Sequence, residues 1–442
     1  MATDYDKIAD FLTLYDAFKA SRSGKKYKTE VMEFENDLEY NLFKMEEYLQ
    51  KGLYKLGGYY SFDIYEPKRR TVHAAHFRDR VLYHAICDNV LEPKLQPRLI
   101  HANAACQKGK GTHFAIKMVR QFMVAHYKSV RPRNKCGEGG NLGYVLKCDV
   151  RKYFNNIDHA VLKLKLDKVP LDTKTRALLD LIIDSYYDVD RGPDKGLPLG
   201  NQTSQWFAIF YLDSVDRLIK ERLQIKYYSR YMDDLILIHE DKAVLEQALV
   251  AITAACKEIG LELNEKTQII PLNSGFSYLG WRFTYGANGR IIQRVSSQSK
   301  IRYYKKMNEL LWNFKHQKTD LKHVQTVFAS YKGHLSSGDG YAVFKNGVDM
   351  FGIIRNPEGD YSKYRRTGKE FASLTHYCAK ALDPRVKPED DRVVTHWNDT
   401  DDRRTGSIAP ARPSFPARVA GSTPTVDRVG PAINVGKWGG KL

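Results

Sequence analysis

The chain has 442 residues, of which 43% are hydrophobic, enough to bury cores in two or three domains and to exclude wholesale disorder. Its 70 Lys and Arg residues outnumber 52 Asp and Glu, and the formal net charge is +18. That excess favours an acidic partner such as nucleic acid or an anionic membrane surface, and a solvated basic surface is the alternative.

No stretch of the sequence has the pattern of a targeting or membrane segment. The first residues carry acidic side chains and no apolar core, so no signal peptide is expected. No run approaches the roughly 18 apolar residues that a membrane span needs. The six cysteines are scattered without a C-x-x-C pair, which predicts reduced thiols rather than a disulfide framework or a zinc site. We therefore expect a cytoplasmic protein with no membrane partner.

The first third of the chain predicts helices followed by a hairpin. Residues 1–55 carry apolar residues at three-to-four spacing, which predicts a helical N-terminal extension. The stretch GYYSFDIYEPKRRTVHAAH alternates and is rich in aromatic and β-branched residues, which predicts a hairpin with its turn near Pro67. A helix is predicted from Arg78 to about Leu91, and the Gly, Asn and Pro content of 130–143 predicts a loop.

The middle of the chain predicts a sheet with interleaved helices. Tyr144–Val150 has the pattern of a buried strand that ends in a carboxylate, and 172–187 that of a helix. LPLGNQTSQWFAIFYLDSVDRLIKERL opens with a Gly turn and predicts one long helix. Two short apolar runs flank Met232-Asp233-Asp234 as the strands of a hairpin do. A helix over Lys242–Ile259 and a strand in GFSYLGWRF follow.

The last part of the chain changes in character twice. From about Ser297 to Ile354 it predicts basic helices with interleaved aromatic residues. Beyond about Asn356 it is rich in Pro, Gly and Arg with little periodicity, and we expect a mostly disordered tail.

Three carboxylates stand where a metal site for nucleotidyl transfer needs them. Extending a nucleic acid requires attack of a 3′-hydroxyl on an α-phosphorus, and two Mg²⁺ ions about 3.5–4 Å apart assist that step. Mg²⁺ prefers oxygen ligands, so at least two carboxylates must converge. Asp149, at a strand end, and Asp233 and Asp234, in a hairpin turn, can do so on adjacent strands. Taken singly, each is also explained by ordinary turn or capping chemistry.

The order of the motifs along the chain favours a metal site over ordinary turn or capping chemistry. From about Gly58 to Gly333 the chain resembles a reverse transcriptase of the bacterial retroelement branch, with Asp149 in KCDVRKYFNNIDH and the turn Tyr231-Met232-Asp233-Asp234 as the family's Y-x-D-D. The resemblance implies that Asp149 and Asp233 bridge two Mg²⁺ ions, for which Mn²⁺ can substitute. Asp234 and the backbone carbonyl of Val150 are the further expected metal ligands.

The resemblance also implies nucleotide-binding residues. Lys68, Arg69 and Arg70 match the residues that hold the triphosphate, with a solvated basic hairpin tip as the alternative. Phe154 matches an aromatic that excludes a 2′-hydroxyl by steric clash, with a core aromatic as the alternative. Lys266 in LNEKT matches a proposed proton donor to pyrophosphate, and an exposed loop lysine explains it equally well.

Further sequence motifs match those with which the family contacts the primer and template strands. Tyr231 and Met232 are expected near the primer end, and Gly280 and Trp281 in SYLGWRF match the turn that grips the primer strand. GKGTH (109–113) matches a block over the template strand, in which His113 is expected to be structural. The basic helices after Ser297 match the thumb, which tracks backbone phosphates.

One stretch departs from most of the family. Where L-P-Q-G followed by Ser-Pro is usual, this chain has Leu199 in place of the glutamine, Gly200 after it, and Gln205 in place of the proline. An apolar side chain at 199 offers packing but no hydrogen bond to the incoming nucleotide. Both changes resemble the diversity-generating retroelement reverse transcriptases, which copy a template RNA with errors at adenines. That branch implies a structured template RNA, a cDNA or primer strand, dNTPs and a small basic helical accessory protein, in a bacterial or prophage setting.

We therefore predict an α+β right-hand polymerase with fingers, palm and a helical thumb. Its predicted parts are the N-terminal extension at 1–55, the fingers at 56–143, the palm at 144–296, the thumb at 297–355 and the tail at 356–442. The predicted function is error-prone RNA-directed DNA synthesis. An antiphage-defence enzyme that makes untemplated or repetitive DNA and an inert RNA-binding scaffold are the alternatives.

Overall fold

The fold is that of a computed structural model, which describes residues 2–65, 69–134, 142–190 and 192–351, with the side chains of 131–134 left aside. The predicted tail therefore lies outside the described residues. Helices and antiparallel sheets alternate along the chain, so the predicted α+β class is confirmed. The helices of the first half are α1 (Asp4–Ile8), α2 (Phe11–Arg22), α3 (Thr29–Asn36), α4 (Leu38–Gln50), α5 (Phe77–Ile86), α6 (Glu92–Leu95), α7 (Thr112–Asn134), α8 (Tyr153–Asn156), α9 (His159–Leu166) and α10 (Thr173–Asp184).

The second half adds the remaining helices. They are α11 (Gln202–Tyr211), α12 (Asp213–Arg217), α13 (Lys242–Glu258), α14 (Ser297–Lys315), α15 (Leu321–Leu335) and α16 (Tyr341–Asp349). The strands are β1 (Tyr59–Ile64), β2 (Arg70–Ala75), β3 (Tyr144–Asp149), β4 (Tyr227–Tyr231), β5 (Asp234–His239), β6 (Gln268–Pro271), β7 (Phe276–Tyr278), β8 (Trp281–Tyr285) and β9 (Ile291–Val295).

The predicted N-terminal helices form, and the first two begin at side-chain caps. Thr3 and Asp6 form a capping box at α1, and the Asp10 carboxylate accepts a hydrogen bond from the Thr13 amide at the start of α2. The extension is tied to the hairpin region through Asp79, which is 1% exposed. Its carboxylate accepts hydrogen bonds from the Tyr54 hydroxyl at 2.8 Å and the Gly57 amide at 2.6 Å.

The central sheet, here called the palm sheet, has the strand order β4-β5-β3-β6 and is antiparallel throughout. Its side chains alternate between two cores because successive residues of a strand point to opposite faces. Leu146 and Leu237 pack into the core shared with the N-terminal helices, whereas Val145 and Ile236 pack into the core shared with α7 and α14–α16. Burial on both faces explains the nearly continuous apolar runs of these strands.

The structure differs from the predicted elements in several places. One is α7, which continues to Asn134, into the stretch 130–143 that was predicted as a loop. The long helix predicted after the Gly200 turn is interrupted at Leu212 and ends in a π-helical turn, Leu218–Arg222. The single strand predicted in GFSYLGWRF is instead the hairpin β7–β8, because Leu279 and Gly280 both take positive φ and reverse the chain.

The small sheet β7-β8-β9 packs with the C-terminal helices. Phe276, Trp281 and Phe283 share their buried cluster with Tyr303 and Phe328 of α14 and α15. This sheet therefore shares a core with the helices of the predicted thumb, to which the palm strands also contribute Val145 and Ile236. Among the described residues, no helix combines the length and the apolar character required to cross a membrane.

Candidate active site

The sheet register brings two of the predicted carboxylates face to face. Asp149, the last residue of β3, pairs with Asp234, the first residue of β5, and Asp233 precedes it in the turn between β4 and β5. The two backbones are also linked, because the Val150 amide donates to the Asp233 carbonyl at 3.3 Å. Neighbouring strands thus place all three aspartates at one end of the palm sheet.

The turn that carries Asp233 is strained. Tyr231 pairs with Asp234, so Met232 and Asp233 form a two-residue hairpin turn, and Met232 has a φ of 54°. A positive φ at the first central position suits glycine and costs a side-chain-bearing residue about 1–3 kcal/mol. The Met232 carbonyl accepts a hydrogen bond from the buried Arg230 guanidinium at 2.9 Å. The surroundings therefore hold the turn in this conformation.

The carboxylates act on one another electrostatically. Burial above all, together with the charges of Asp234 and Asp149, raises the pKa of the Asp233 carboxyl to about 6, while Arg70 opposes the rise. Burial also raises the pKa of Asp234, which Lys147 opposes and Asp149 reinforces. The Lys147 ammonium lies 3.9 Å from an Asp234 oxygen. Burial is thus the main reason that these carboxyls hold their protons more tightly, and the neighbouring carboxylates add to it.

The site fits magnesium by the chemistry of its donors rather than by a finished ligand cluster. Within the described residues, no group of three or more His, Cys, Asp or Glu side chains is placed to hold a metal ion directly. The available donors are carboxylate oxygens, which Mg²⁺ prefers, and their mutual repulsion is what a divalent cation would relieve. Asp149, Asp233, Asp234 and the Val150 carbonyl remain the predicted ligands.

One residue that sequence reasoning missed orients Asp149. The Asn264 side-chain amide donates to an Asp149 carboxylate oxygen at 2.9 Å, and the Asn264 backbone amide donates to the Asp149 carbonyl at 2.6 Å. Asn264 belongs to the same LNEKT block in which only Lys266 was singled out. Lys266 itself is exposed, and its backbone amide donates to the Asn264 side chain at 3.1 Å.

The basic residues of the first hairpin occupy different environments. Arg70 begins β2 and is close enough to lower the pKa of Asp233, although burial of that carboxyl dominates. Arg69 instead binds Asp63, with hydrogen bonds of 3.0 and 2.8 Å to one carboxylate oxygen. Lys68 lies outside the described residues. The structure thus brings Arg70, and not Arg69, to the carboxylates.

The other predicted nucleotide-binding residues lie in α8 and in the loop before α11. Phe154 in α8 is half-buried, and its carbonyl accepts the Leu197 amide at 2.8 Å, which ties α8 to the loop before α11. Leu199 in that loop is half-buried. Gly200 has a φ of 120°, and a Cβ there would lie 3.2 Å from the Val72 side chain in β2. This loop therefore packs against the strand that carries Arg70.

The predicted strand-binding residues divide into exposed and buried groups. A cavity of about 490 Å³ runs between the β7–β8 turn and the C-terminal helices, and Gly280 lines it together with Arg302, Lys305 and Lys306. Trp281 is fully buried, with its ring centroid 5.7 Å from that of His334. Its ring is therefore not offered to a primer strand and supports the turn from within.

Three more predicted residues, Tyr231, Met232 and His113, remain to be placed. Tyr231 is half-buried between the two cores, and Met232 is half-buried in the turn. His113 is exposed near the start of α7, close enough to contribute, after burial, to the lowered pKa of His334.

The geometry is compatible with one class of chemistry. A strand that ends in aspartate, paired with a hairpin turn that carries two more, can supply carboxylates for metal-assisted nucleotidyl transfer. A basic hairpin and a basic cleft flank it. Residues 69–283, just under half of the chain, match the family described as "Reverse transcriptase (RNA-dependent DNA polymerase)". The match is to a reverse-transcriptase domain, a domain that RNA-directed DNA polymerases contain.

Solved structures and curated sequences add little to this assignment. Telomerase from Candida albicans, in complex with a TWJ fragment of telomeric RNA, has a TM-score of 0.41 and 11% identity, covering 69% of this chain and 63% of that one. Apo telomerase from Candida tropicalis has a TM-score of 0.42 and 13% identity, and the match covers 78% of this chain and 69% of that one. Apo telomerase from Candida tropicalis truncated from its C-terminal domain has a TM-score of 0.36 and 14% identity. That match covers 55% of this chain and 58% of that one.

These telomerase similarities do not bear on the activity of this chain, because each TM-score is below 0.5. The chain spans less than two thirds of the first and of the truncated telomerase. No curated protein sequence matches it significantly.

Proposed function

We propose that the chain is an RNA-directed DNA polymerase that extends a primer on an RNA template by two-metal nucleotidyl transfer. The observation that carries the proposal is the register that pairs Asp149 with Asp234 beside Asp233. The matched reverse-transcriptase domain supports it independently.

Each part of the site has a task in this reaction. When bound, Mg²⁺ lowers the pKa of the attacking 3′-hydroxyl and stabilises the pyrophosphate that leaves. Asp149, Asp233 and Asp234 supply the carboxylate oxygens, and Asn264 fixes the orientation of Asp149. Arg70, whose charge opposes the raised pKa of Asp233, would neutralise triphosphate charge in this proposal. The basic cleft beside Gly280 follows the backbone of the primer–template duplex.

The decisive experiment is incorporation of labelled dNTPs on a primed RNA homopolymer with Mg²⁺. The variant Asp233→Ala with Asp234→Ala should lose incorporation while its thermal unfolding midpoint stays within a few degrees or rises, because two mutually repelling carboxylates are removed. Asp16→Ala is the matched control, since Asp16 is an exposed carboxylate on α2 that pairs with Lys19 at 2.6 Å. Incorporation by the double variant would overturn the mechanism. An inert wild-type chain that still binds RNA would favour the scaffold alternative.

We further propose that the copying is error-prone and serves a diversity-generating retroelement. The support is Leu199 and Gln205 in place of the family's usual glutamine and proline. A template RNA and a small basic helical accessory protein belong to this proposal, as does a bacterial cytoplasmic setting. The free thiols of Cys87, Cys106, Cys148 and Cys256 are compatible with the cytoplasm.

Leu199→Gln tests the error-prone proposal. A glutamine restores a hydrogen-bonding group beside the incoming nucleotide, so misincorporation opposite template adenines should fall several-fold. Sequencing of the cDNA measures it, and Leu181→Gln is the control because Leu181 is an exposed leucine on α10. An unchanged adenine error rate would contradict the role given to Leu199. Untemplated or repetitive product would support the antiphage-defence alternative instead.

A further inference from the structure

Beneath the catalytic turn lies a buried ion pair that the mechanism above does not use. Arg230 in β4 and Asp216 in α12 are both fully buried, and their closest nitrogen–oxygen distance is 2.5 Å. The Arg230 Nε also donates to the other Asp216 oxygen at 2.8 Å, so the contact is bidentate. The Tyr228 hydroxyl donates to the same carboxylate at 2.5 Å. Asp216 is therefore fully engaged in orienting the guanidinium.

The remaining donors of this guanidinium reach two backbone carbonyls. Nη2 donates to the Ile209 carbonyl in α11 at 2.9 Å, and Nη1 donates to the Met232 carbonyl at 2.9 Å. A planar guanidinium can satisfy these acceptors together because its donors form a rigid fork. One side chain thus links α12, α11 and the turn between β4 and β5.

The contact with Met232 falls on the strained residue of the catalytic turn. Met232 has a positive φ, and the next two residues are Asp233 and Asp234. A side-chain-bearing residue keeps such a conformation only where its surroundings determine it. Two hydrogen bonds do so here. The Val150 amide, directly after β3, donates to the Asp233 carbonyl, and the Arg230 guanidinium donates to the Met232 carbonyl.

We propose that Arg230, locked by Asp216, is a positioning residue that fixes the direction of the Asp233 and Asp234 carboxylates through the Met232 carbonyl. It does not touch the reacting atoms. The proposal rests on the polymerase function proposed above and adds a residue to it.

The competing explanation is that the ion pair only stabilises the fold. The backbone hydrogen bonds of Arg230 distinguish that explanation from a positioning role. The Arg230 amide donates to the Ala102 carbonyl at 3.0 Å, and the Arg230 carbonyl accepts the Ala104 amide at 2.9 Å. These bonds hold β4 whatever side chain stands at 230. Replacement of the side chain therefore removes chiefly its bonds to Asp216, Ile209 and Met232.

The test uses Arg230→Lys and the double variant Arg230→Met with Asp216→Asn. Lysine keeps the buried charge paired with Asp216, but its single ammonium cannot serve both carbonyls. The double variant removes both charges, and its asparagine still accepts from Tyr228. Such neutral replacement of a buried pair is often tolerated by the fold. Arg217→Lys is the matched control, because Arg217 pairs with Asp213 on the same helix and makes no contact with the turn.

Both variants should lower kcat for dNTP incorporation by roughly tenfold to a hundredfold with little change in KM, as expected when reacting groups are misplaced. The Mg²⁺ concentration for half-maximal rate should rise. Amide hydrogen exchange of 231–235 should become faster, whereas 144–148 stays protected and the unfolding midpoint moves by only a few degrees. The control should match wild type in every measurement.

Wild-type kcat and unchanged exchange at 231–235 in Arg230→Lys would overturn the proposal. So would a loss of rate accompanied by faster exchange throughout the palm sheet, since that result indicates general destabilisation. A wild-type chain without incorporation would overturn the polymerase function alone. The exchange measurement would still decide whether Arg230 holds the turn.

Discussion

At the scale of single residues, the three aspartates depend on side chains that carry no negative charge. A carboxylate at a strand end has free rotation about its side-chain bonds unless a neighbour restrains it. Asn264 restrains Asp149 with its side-chain amide at 2.9 Å, and its own oxygen accepts the Lys266 amide at 3.1 Å. The second bond fixes which end of the Asn264 amide faces Asp149. The first aspartate is therefore oriented before any ligand binds.

Replacement of Asn264 should expose this dependence. Asn264→Ala should reduce kcat for incorporation by roughly tenfold and cost about 1 kcal/mol of stability, because a partly buried hydrogen bond is lost. Asn264→Asp should be worse for catalysis, since it sets a fourth carboxylate against Asp149. Steady-state incorporation and denaturant unfolding measure the two effects, with exposed Glu265→Ala as control. Equal activity of the Asp and Ala variants would contradict the electrostatic part of this account.

Individual residues also mark what sequence can and cannot predict. Asp149 and the Asp233-Asp234 turn are predictable because their patterns are local, a strand end and a hairpin tip. The contact of Asn264 with Asp149 joins residues 115 positions apart, and it depends on the register of the palm sheet and on the loop before β6. Burial of Trp281 depends likewise on packing of the small sheet against α15. Neither contact leaves a pattern in neighbouring residues.

At the scale of elements, the β1–β2 hairpin brings Arg70 near Asp233, whereas Arg69 forms an ion pair within the hairpin. Residues adjacent in an extended chain point to opposite faces, so Arg69 and Arg70 cannot both face the site. Arg69 is taken up by Asp63 within the hairpin, whereas Arg70 acts on Asp233. Lys68, Arg69 and Arg70 were all predicted to hold the triphosphate, with Arg70 favoured, and the structure separates Arg70 from Arg69. The hairpin itself was predicted correctly, from its alternation.

The hairpin can be tested with its own internal control. Arg70→Ala should raise KM for dNTPs by roughly tenfold or more, because a charge-assisted contact with the triphosphate is removed. Arg69→Ala should change KM by no more than about twofold, since that side chain is exposed and paired with Asp63. Incorporation rates over a range of dNTP concentrations distinguish them. Equal effects would indicate a diffuse positive field at the tip rather than a specific contact.

The helices show where periodicity stops being informative. The helix predicted from Arg78 to about Leu91 is present, but Cys87–Leu91 is a π-helical turn, and a second such turn ends the stretch after α12. An apolar pattern specifies the buried face of a helix, and a single wide turn of five residues is too short to show a change of period. Elements were thus predictable in kind and order, and their interruptions were not.

At the scale of the whole molecule, the net charge of +18 leaves open whether nucleic acid is held by a general field or by a particular surface. The structure offers a particular surface in the cavity beside Gly280. Arg302, Lys305 and Lys306 line it, and Lys306 is partly neutralised by Glu309 at 3.2 Å. Only the three-dimensional packing of α14 against the β7–β8 turn brings these cations beside the predicted grip on the primer strand.

Salt dependence separates the two possibilities. Each cation that neutralises a phosphate adds about 0.9 to the slope of log affinity against log salt, so replacing Arg302, Lys305 and Lys306 by alanine should reduce that slope by about 2–3 for a primer–template duplex. The control removes the same three charges from the N-terminal helices through Lys7→Ala, Lys19→Ala and Lys51→Ala, since these lysines are exposed and paired with acidic neighbours. A general field predicts equal losses in both triple variants. A specific cleft predicts that only the first loses slope, because counterions are released where phosphates are bound rather than where charge is merely present.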